Sequence, residues 1–305
     1  MAGQTVFGEP QCVSSNLMNR LNKWIGVRVE RLAWPLGLAV FMYLQACAHE
    51  PVVPEVHKPD SSVTAVNQCH NLLGDVVHNG SELDASRIGL FSWNVRKTRA
   101  RGWRDDFAVN GDGADLVLFQ EASLREETIG ELDSSRHWSF APGYVKRREI
   151  TGVLTLSSIE PLARCNLVHV EPWLRSPKAT GITEYGLTGT EQSLVVVNVH
   201  AVNLTFGTEA FEQQFEDIRR VLENHDGPII LSGDLNTWRG KRLQIVDDVL
   251  ASLDLVAIEF EDDNRVRFFG SALDHVYIRG LRTLAASTQV VDTSDHNPMS
   301  VILAL

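Results

Sequence analysis

The chain is short of cysteine, has no excess of positive charge and lacks a long apolar run, and each lack argues against one class of protein. Its four cysteines, Cys12, Cys47, Cys69 and Cys165, form no CxxC pair and have no histidine at zinc-ligand spacing, which argues against a structural zinc site. Cys69 and Cys165 pair if the domain is exported and remain two free thiols if it is not. A net charge of -11 argues against a protein that coats nucleic acid non-specifically, because neutralisation of phosphates drives that binding. The apolar stretch 32–46 falls short of the ~20 residues of a membrane span and contains Pro35 and Gly37, which disfavours a permanent transmembrane helix. There is no internal repeat and no low-complexity segment.

What is present is enough for one large core, with 305 residues of which 44% are hydrophobic. Arg20, Lys23, Arg28 and Arg31 precede the apolar stretch, which is the layout of an export signal. Leu44-Gln45-Ala46-Cys47 resembles the lipobox of bacterial lipoproteins, with Gln45 departing from the usual small or aliphatic residue. Lipid attachment at Cys47, simple cleavage and an uncleaved anchor all stay open, as does a start at Met18. Residues 1–47 are therefore expected to be a signal or anchor segment. Residues 48–85, with Pro51, Pro54 and Pro59 and little periodicity, are expected to be a flexible tether, and 86–305 a catalytic domain. The expected location is the bacterial cell envelope, periplasmic or membrane-associated, with the cytoplasm as the alternative.

From Ile88 onward, short apolar runs alternate with amphipathic stretches. Strands are expected at 88–95, 115–120, 152–156, 163–170, 194–200, 228–232, 273–278, 283–291 and 299–303. Phe211, Phe215, Ile218 and Leu222 predict a helix over 208–224, and Leu243, Val246, Leu250 and Leu253 a second one. Several strands end in polar side chains that a core would reject: Trp93-Asn94, Gln120-Glu121, Asn198-Val199-His200, Gly233-Asp234-Leu235-Asn236 and Leu273-Asp274-His275. Ser294-Asp295-His296-Asn297-Pro298 precedes the last strand. Any one of these alone reads as a turn former or helix cap. Together, and in this order, they resemble the endonuclease/exonuclease/phosphatase superfamily, the DNase I-like fold, over about residues 86–305.

That resemblance implies an α/β four-layer sandwich of two packed mixed β-sheets flanked by helices, with the site where strand ends converge. It also implies a metal-dependent phosphoesterase using Mg²⁺ or Mn²⁺, held by Glu121 with Asn94 and Asp295. Hard carboxylate oxygens suit such an ion. Asp234 is expected to orient or deprotonate water, Asn236 to donate to a phosphoryl oxygen, and His296 to contact the phosphate with Asp274 fixing its tautomer and raising its pKa. His200 is expected to donate to the developing charge or the leaving oxygen. Trp93 reads as core support, His275 as packing or surface, His137, His169 and His225 as surface, and Lys97 and Asn203 as supporting groups.

Basic residues cluster at 96–104, 146–148 and 239–242. They form either a funnel for a polyanion such as a nucleic acid backbone or an offset to the site's carboxylates. Nuclease-like phosphodiester hydrolysis leads. A phosphatase or phospholipase-type activity on inositol phosphates or lipid head groups is the alternative, and a non-catalytic envelope binding protein is a further one. The chain is expected to act as a monomer on a phosphate ester, with membrane contact through its N-terminal segment.

Overall fold

Two β-sheets meet face to face because strand after strand carries apolar side chains on both of its faces, one set for the opposing sheet and one for a helix. The computed structural model describes residues 62–74, 80–124, 136–146, 149–205 and 207–305. In chain order the first elements are α1 (Ser62–Leu72), β1 (Glu82–Leu83), β2 (Ile88–Asn94), α2 (Trp103–Asn110), β3 (Leu116–Leu124), β4 (His137–Lys146) and β5 (Glu149–Ser157). Then come β6 (Ala163–Val170), β7 (Pro177–Leu187), β8 (Ser193–His200), α3 (Glu209–Leu222), β9 (Ile229–Asp234) and α4 (Gly240–Ala251). The chain ends with β10 (Val256–Ala257), β11 (Arg267–Phe268), β12 (Ser271–Ala272), β13 (Asp274–Arg279), β14 (Arg282–Thr288) and β15 (Met299–Ala304).

The first sheet runs β1-β7-β8-β9-β13-β10, with β6 also paired to β7, and the second runs β14-β15-β2-β3-β5-β4. Both are mixed: β8 lies parallel to β9 and β2 parallel to β3, while β9 with β13 and β3 with β5 are antiparallel. Side-chain direction alternates along a strand, so residue parity sorts the layers. Val195, Val197 and Val199 of β8 pack with Phe211, Phe215 and Ile218 of α3 and Val246 and Leu250 of α4. Leu194 and Val196 face the other way, into the space between the sheets, with Leu90, Leu118, Ile230 and Val276. On the far side, Phe91, Trp93 and Phe119 meet Trp103 and Phe107 of α2. The four-layer arrangement is as expected.

The tether expectation for 48–85 needs correction at its C-terminal part. Val66 and Cys69, three apart on α1, are buried with Leu167 of β6, and β1 adds a parallel edge to β7. Cys69 is disulfide-bonded to Cys165 of β6, with a Cα–Cα distance of 5.5 Å. Two side chains and one bond were too little periodicity to signal an element in sequence. Closing a loop of 96 residues restricts the unfolded chain, so Cys69→Ser is expected to cost about 4 kcal/mol of stability. Denaturant unfolding of the oxidised wild type against the variant measures it; equal midpoints would remove the bond from the stability of the domain.

The signal, anchor and lipobox expectations for residues 1–47 lie outside the described residues, as do Arg147 and Arg148. Among the described residues, no helix is long and apolar enough to cross a membrane.

Candidate functional site

The same parity that builds the core builds the site. On the inter-sheet face of β8, Leu194 and Val196 are followed by Asn198 and His200; on β9, Ile230 is followed by Ser232 and Asp234; on β2, Leu90 is followed by Ser92 and Asn94. Asp274 shares its face of β13 with Val276 and Ile278. Register then sets these ends side by side, with His200 opposite Asp234, Asp234 opposite Asp274, and Asn94 opposite Gln120. One end of the inter-sheet layer is therefore polar where the rest is apolar.

Behind the site, Gln120 Nε2 donates to Asn198 Oδ1 at 2.8 Å, tying the two sheets together, and Asn198 Nδ2 donates back to the Leu154 carbonyl at 3.1 Å. The loop before β15 is pinned to β2 twice: the Trp93 indole donates to the His296 carbonyl at 2.9 Å, and Ser294 Oγ donates to the Asn94 carbonyl at 2.6 Å. Trp93 is thus more than core support, because it positions the backbone of a site histidine.

Two backbone features aim the carboxylates. Glu121 has φ +51 at a bulge where β3 loses register with β5 between Phe119 and Ala122, an unfavourable conformation for a non-glycine residue. Gly233 has φ +144, and a Cβ there would collide with the Val199 carbonyl, so the approach of β8 to β9 just before Asp234 requires glycine.

Asp234 is buried. Its Oδ2 accepts from Asn94 Nδ2 at 3.0 Å and its Oδ1 from the Asn236 backbone N–H at 3.1 Å. His200 Nε2 stands 3.6 Å and His296 Nε2 3.9 Å from Asp234 Oδ2. His296 Nδ1 and Asp274 Oδ2 share a hydrogen bond of 2.7 Å. Burial works to lower the His296 pKa, but the Asp274 and Asp234 carboxylates outweigh it and push the imidazole up to about 10. Burial raises the Asp234 pKa, and Asp274 adds to the rise against the opposing charge of His296. His200 is pushed well below the ordinary histidine value, by burial first and then by Lys178, His296 and Lys97.

The Asn236 amide donates to the Ala201 carbonyl at 3.0 Å, so one of its two donors holds the β8 exit. Glu121 lies at the rim, a quarter exposed, with Lys97 Nζ at 3.9 Å and His200 Nε2 at 3.8 Å. Asp295 is not drawn into the buried group: its side chain is 59% exposed and faces Arg96 at 3.6 Å. His275, on the opposite face of β13, is buried against Thr237 at 2.7 Å; burial and the Arg265 cation push it down to about 4, so it packs as a neutral ring. Beside Glu121 and His200 opens a cavity of about 440 Å³, lined also by Lys97, Arg99, Tyr144, Leu174 and Lys178.

The chain's donors fit a divalent cation in two places. Asp234, Asp274 and His296 offer ligand atoms within 4.8 Å of one another. An ion there would bind His296 only as the neutral ring, whereas the Asp274 and Asp234 carboxylates favour its charged form. Among the described residues the Glu121 carboxylate has no hydrogen-bond partner, with His200 at 3.8 Å and Lys97 at 3.9 Å, and it lines the cavity beside Asn94's strand, which is the better seat for a hard cation that keeps its waters.

Other expectations need correction. His169 and His225 are buried rather than on the surface, His169 against Asp217 at 2.9 Å. Burial lowers the His225 pKa. Arg242, counted in the basic cluster 239–242, is buried and donates to the carbonyls of Val202 at 2.8 Å and Asn236 at 3.2 Å, so it clamps the loops. Arg99 is paired with Glu149 at 3.0 Å, and Arg239 stacks over Trp238 at 4.5 Å. Lys178 belonged to no motif, and nothing in the sequence marked it.

The sequence pattern of the endonuclease/exonuclease/phosphatase family matches residues 91–296. A UPF0294 protein of Vibrio vulnificus is 39% identical over 222 residues, covering 72% of this chain and 78% of that one. An endonuclease/exonuclease/phosphatase from Beutenbergia cavernae aligns with TM-score 0.57 at 16% identity, covering 72% of each chain. Zebrafish TDP2, solved with single-strand DNA product, aligns with TM-score 0.53 at 15% identity, covering 72% of this chain and all of that one.

Proposed function

Because the chain belongs to the endonuclease/exonuclease/phosphatase family, we propose that it is a metal-dependent phosphoesterase that cleaves a phosphodiester by attack of an activated water. The observation that carries this is the buried row Asp274, His296, Asp234, in which one protonated imidazole lies between two carboxylates at 2.7 and 3.9 Å. Phosphoryl transfer requires a positioned water, charge opposite the non-bridging oxygens and relief for the leaving oxygen. Asp234, whose pKa is raised by burial, takes the proton of the water as its oxygen bonds to phosphorus and the bond to the leaving oxygen breaks. His296, held charged by Asp274, donates from Nε2 to a phosphoryl oxygen. Asn94 and Asn236 hold the Asp234 carboxylate so that its orientation is set before substrate arrives.

Mg²⁺ or Mn²⁺ held at Glu121, with Asn94 on the neighbouring strand, would supply positive charge to the phosphate and its leaving oxygen. Lys97 in the cavity favours a nucleic acid backbone, and zebrafish TDP2 with its single-strand DNA product lends support from the same fold. A lipid head group is the second reading, favoured by Leu174, which lines the cavity and is 62% exposed. The Cys69–Cys165 bond supports an oxidising location.

The test is hydrolysis of plasmid DNA, RNA, bis(p-nitrophenyl) phosphate and phospholipid vesicles with Mg²⁺, Mn²⁺, Ca²⁺ or EDTA. Cleavage with Mg²⁺ or Mn²⁺ that drops about 100-fold or more in EDTA is expected. No cleavage of any substrate, or cleavage indifferent to EDTA, would refute the reading.

A further inference from the structure

Lys178 sits on β7 and sends its ammonium to the wall of the cavity beside His200 and Glu121. Its side chain is only 13% exposed. Nζ lies 2.8 Å from His200 Nε2 and 3.9 Å from Glu171 Oε1. An ammonium group can only donate hydrogen bonds, so His200 Nε2 must be the acceptor and the imidazole proton must sit on Nδ1. His200 then cannot present an Nε2–H to a phosphate, the role the sequence predicted for it. The donor at this point of the wall is the lysine.

The charge on Lys178 is also incompletely matched. A largely buried ammonium needs a countercharge close by. Its nearest partner among the described residues is instead a ring nitrogen that supplies none. Glu171 already accepts from the backbone N–H groups of Asn203 at 2.9 Å and Leu204 at 3.3 Å, and it stops short of hydrogen-bond distance from Nζ. A lysine placed for packing alone would close on that carboxylate. His200 takes one of its three donors, which leaves capacity for an oxygen in the cavity.

We infer that Lys178 is a catalytic residue that binds a non-bridging oxygen of the substrate phosphate, with His200 as the acceptor that holds its ammonium in place. The inference rests on the phosphoesterase reading of the same site. It exchanges the tasks of the two side chains: Lys178 provides the cationic contact, and His200 fixes where it stands.

The test uses the full chain and inorganic phosphate in metal-free buffer, with phosphorus NMR titrations of wild type, Lys178→Met and Lys178→Arg. Lys178→Met is expected to weaken phosphate binding about tenfold or more, the worth of one charge-assisted hydrogen bond, and Lys178→Arg to restore most of it. Nitrogen-15 NMR of the wild-type histidines is expected to find His200 as the Nδ1–H tautomer. That measurement stands even if Lys178→Met fails to fold. Phosphate binding unchanged in Lys178→Met, no phosphate binding by the wild type, or an Nε2–H tautomer at His200 would each overturn the inference. Phosphate binding through Lys178 by a protein that cleaves no ester would sink the phosphoesterase reading and leave the lysine's contact standing. Ester cleavage by Lys178→Met with unchanged kcat and KM would do the reverse.

Discussion

Asp234→Asn is expected to lower kcat/KM by about 10³-fold for whichever phosphodiester the protein cleaves, with little change in KM. The amide is isosteric but cannot take a proton from water, so what it removes is felt in the transition state. The structure also bounds the effect on stability. Asp234 receives Asn94 Nδ2 on one oxygen and the Asn236 N–H on the other, so either orientation of an asparagine amide sets a donor against a donor. That costs about 1–3 kcal/mol, offset in part by removing a carboxylate that sits near Asp274. Steady-state kinetics beside thermal unfolding separate the two effects. A folded variant within threefold of the wild-type rate would rule out Asp234 as the base.

The candidate site was legible in the sequence because its residues sit at fixed parity on strands that are largely apolar. Asn94, His200 and Asp234 each follow a run whose alternate members fill the inter-sheet layer, so a polar residue on that face can only lie at its end. Strands with such runs were found close to their observed bounds. β4 and β7 were not. β4 carries Pro142 and Gly143 at a bulge between Pro142 and Val145, and β7 holds Thr180, Thr183 and Glu184 at buried positions that carry no apolar period. α2 escaped because only Trp103 is buried along its eight residues.

What sequence could not carry was the third dimension of the site. Glu121 reaches the rim through a positive φ at a bulge, and nothing in Phe119-Gln120-Glu121-Ala122 encodes that turn locally. Arg242 and Lys178 make the same point from opposite sides. Arg242 lies in a basic cluster yet is spent on backbone carbonyls, and Lys178 lies in no cluster yet touches a site histidine. Charge runs in sequence report density, whereas partners decide which cations remain for a ligand.

Asp274→Asn tests the other half of the site, by charge rather than by shape. Asparagine can keep its carbonyl oxygen on His296 Nδ1, at the 2.7 Å contact, and place its amide nitrogen where Asp274 Oδ1 now lies without a partner among the described residues. The imidazole stays oriented but loses the largest influence that raises its pKa, while burial continues to lower it. In the wild type the proton is held up to about pH 10, so a rate that needs the charged ring should fall only on the alkaline side of that value. In Asp274→Asn the alkaline limb of kcat/KM is expected to move toward neutral pH, with a loss of about 10²- to 10⁴-fold at the optimum. Stability follows the same sign. A histidine whose folded pKa lies above its unfolded value stabilises the fold fully below about pH 6.5 and ceases to do so as pH rises through the folded value. The wild type should therefore lose stability near pH 10, and the variant earlier. Rate and unfolding profiles measured between pH 5 and pH 10.5 on both proteins decide it, since an alkaline limb that stays in place would mean that the charge on His296 does not depend on Asp274.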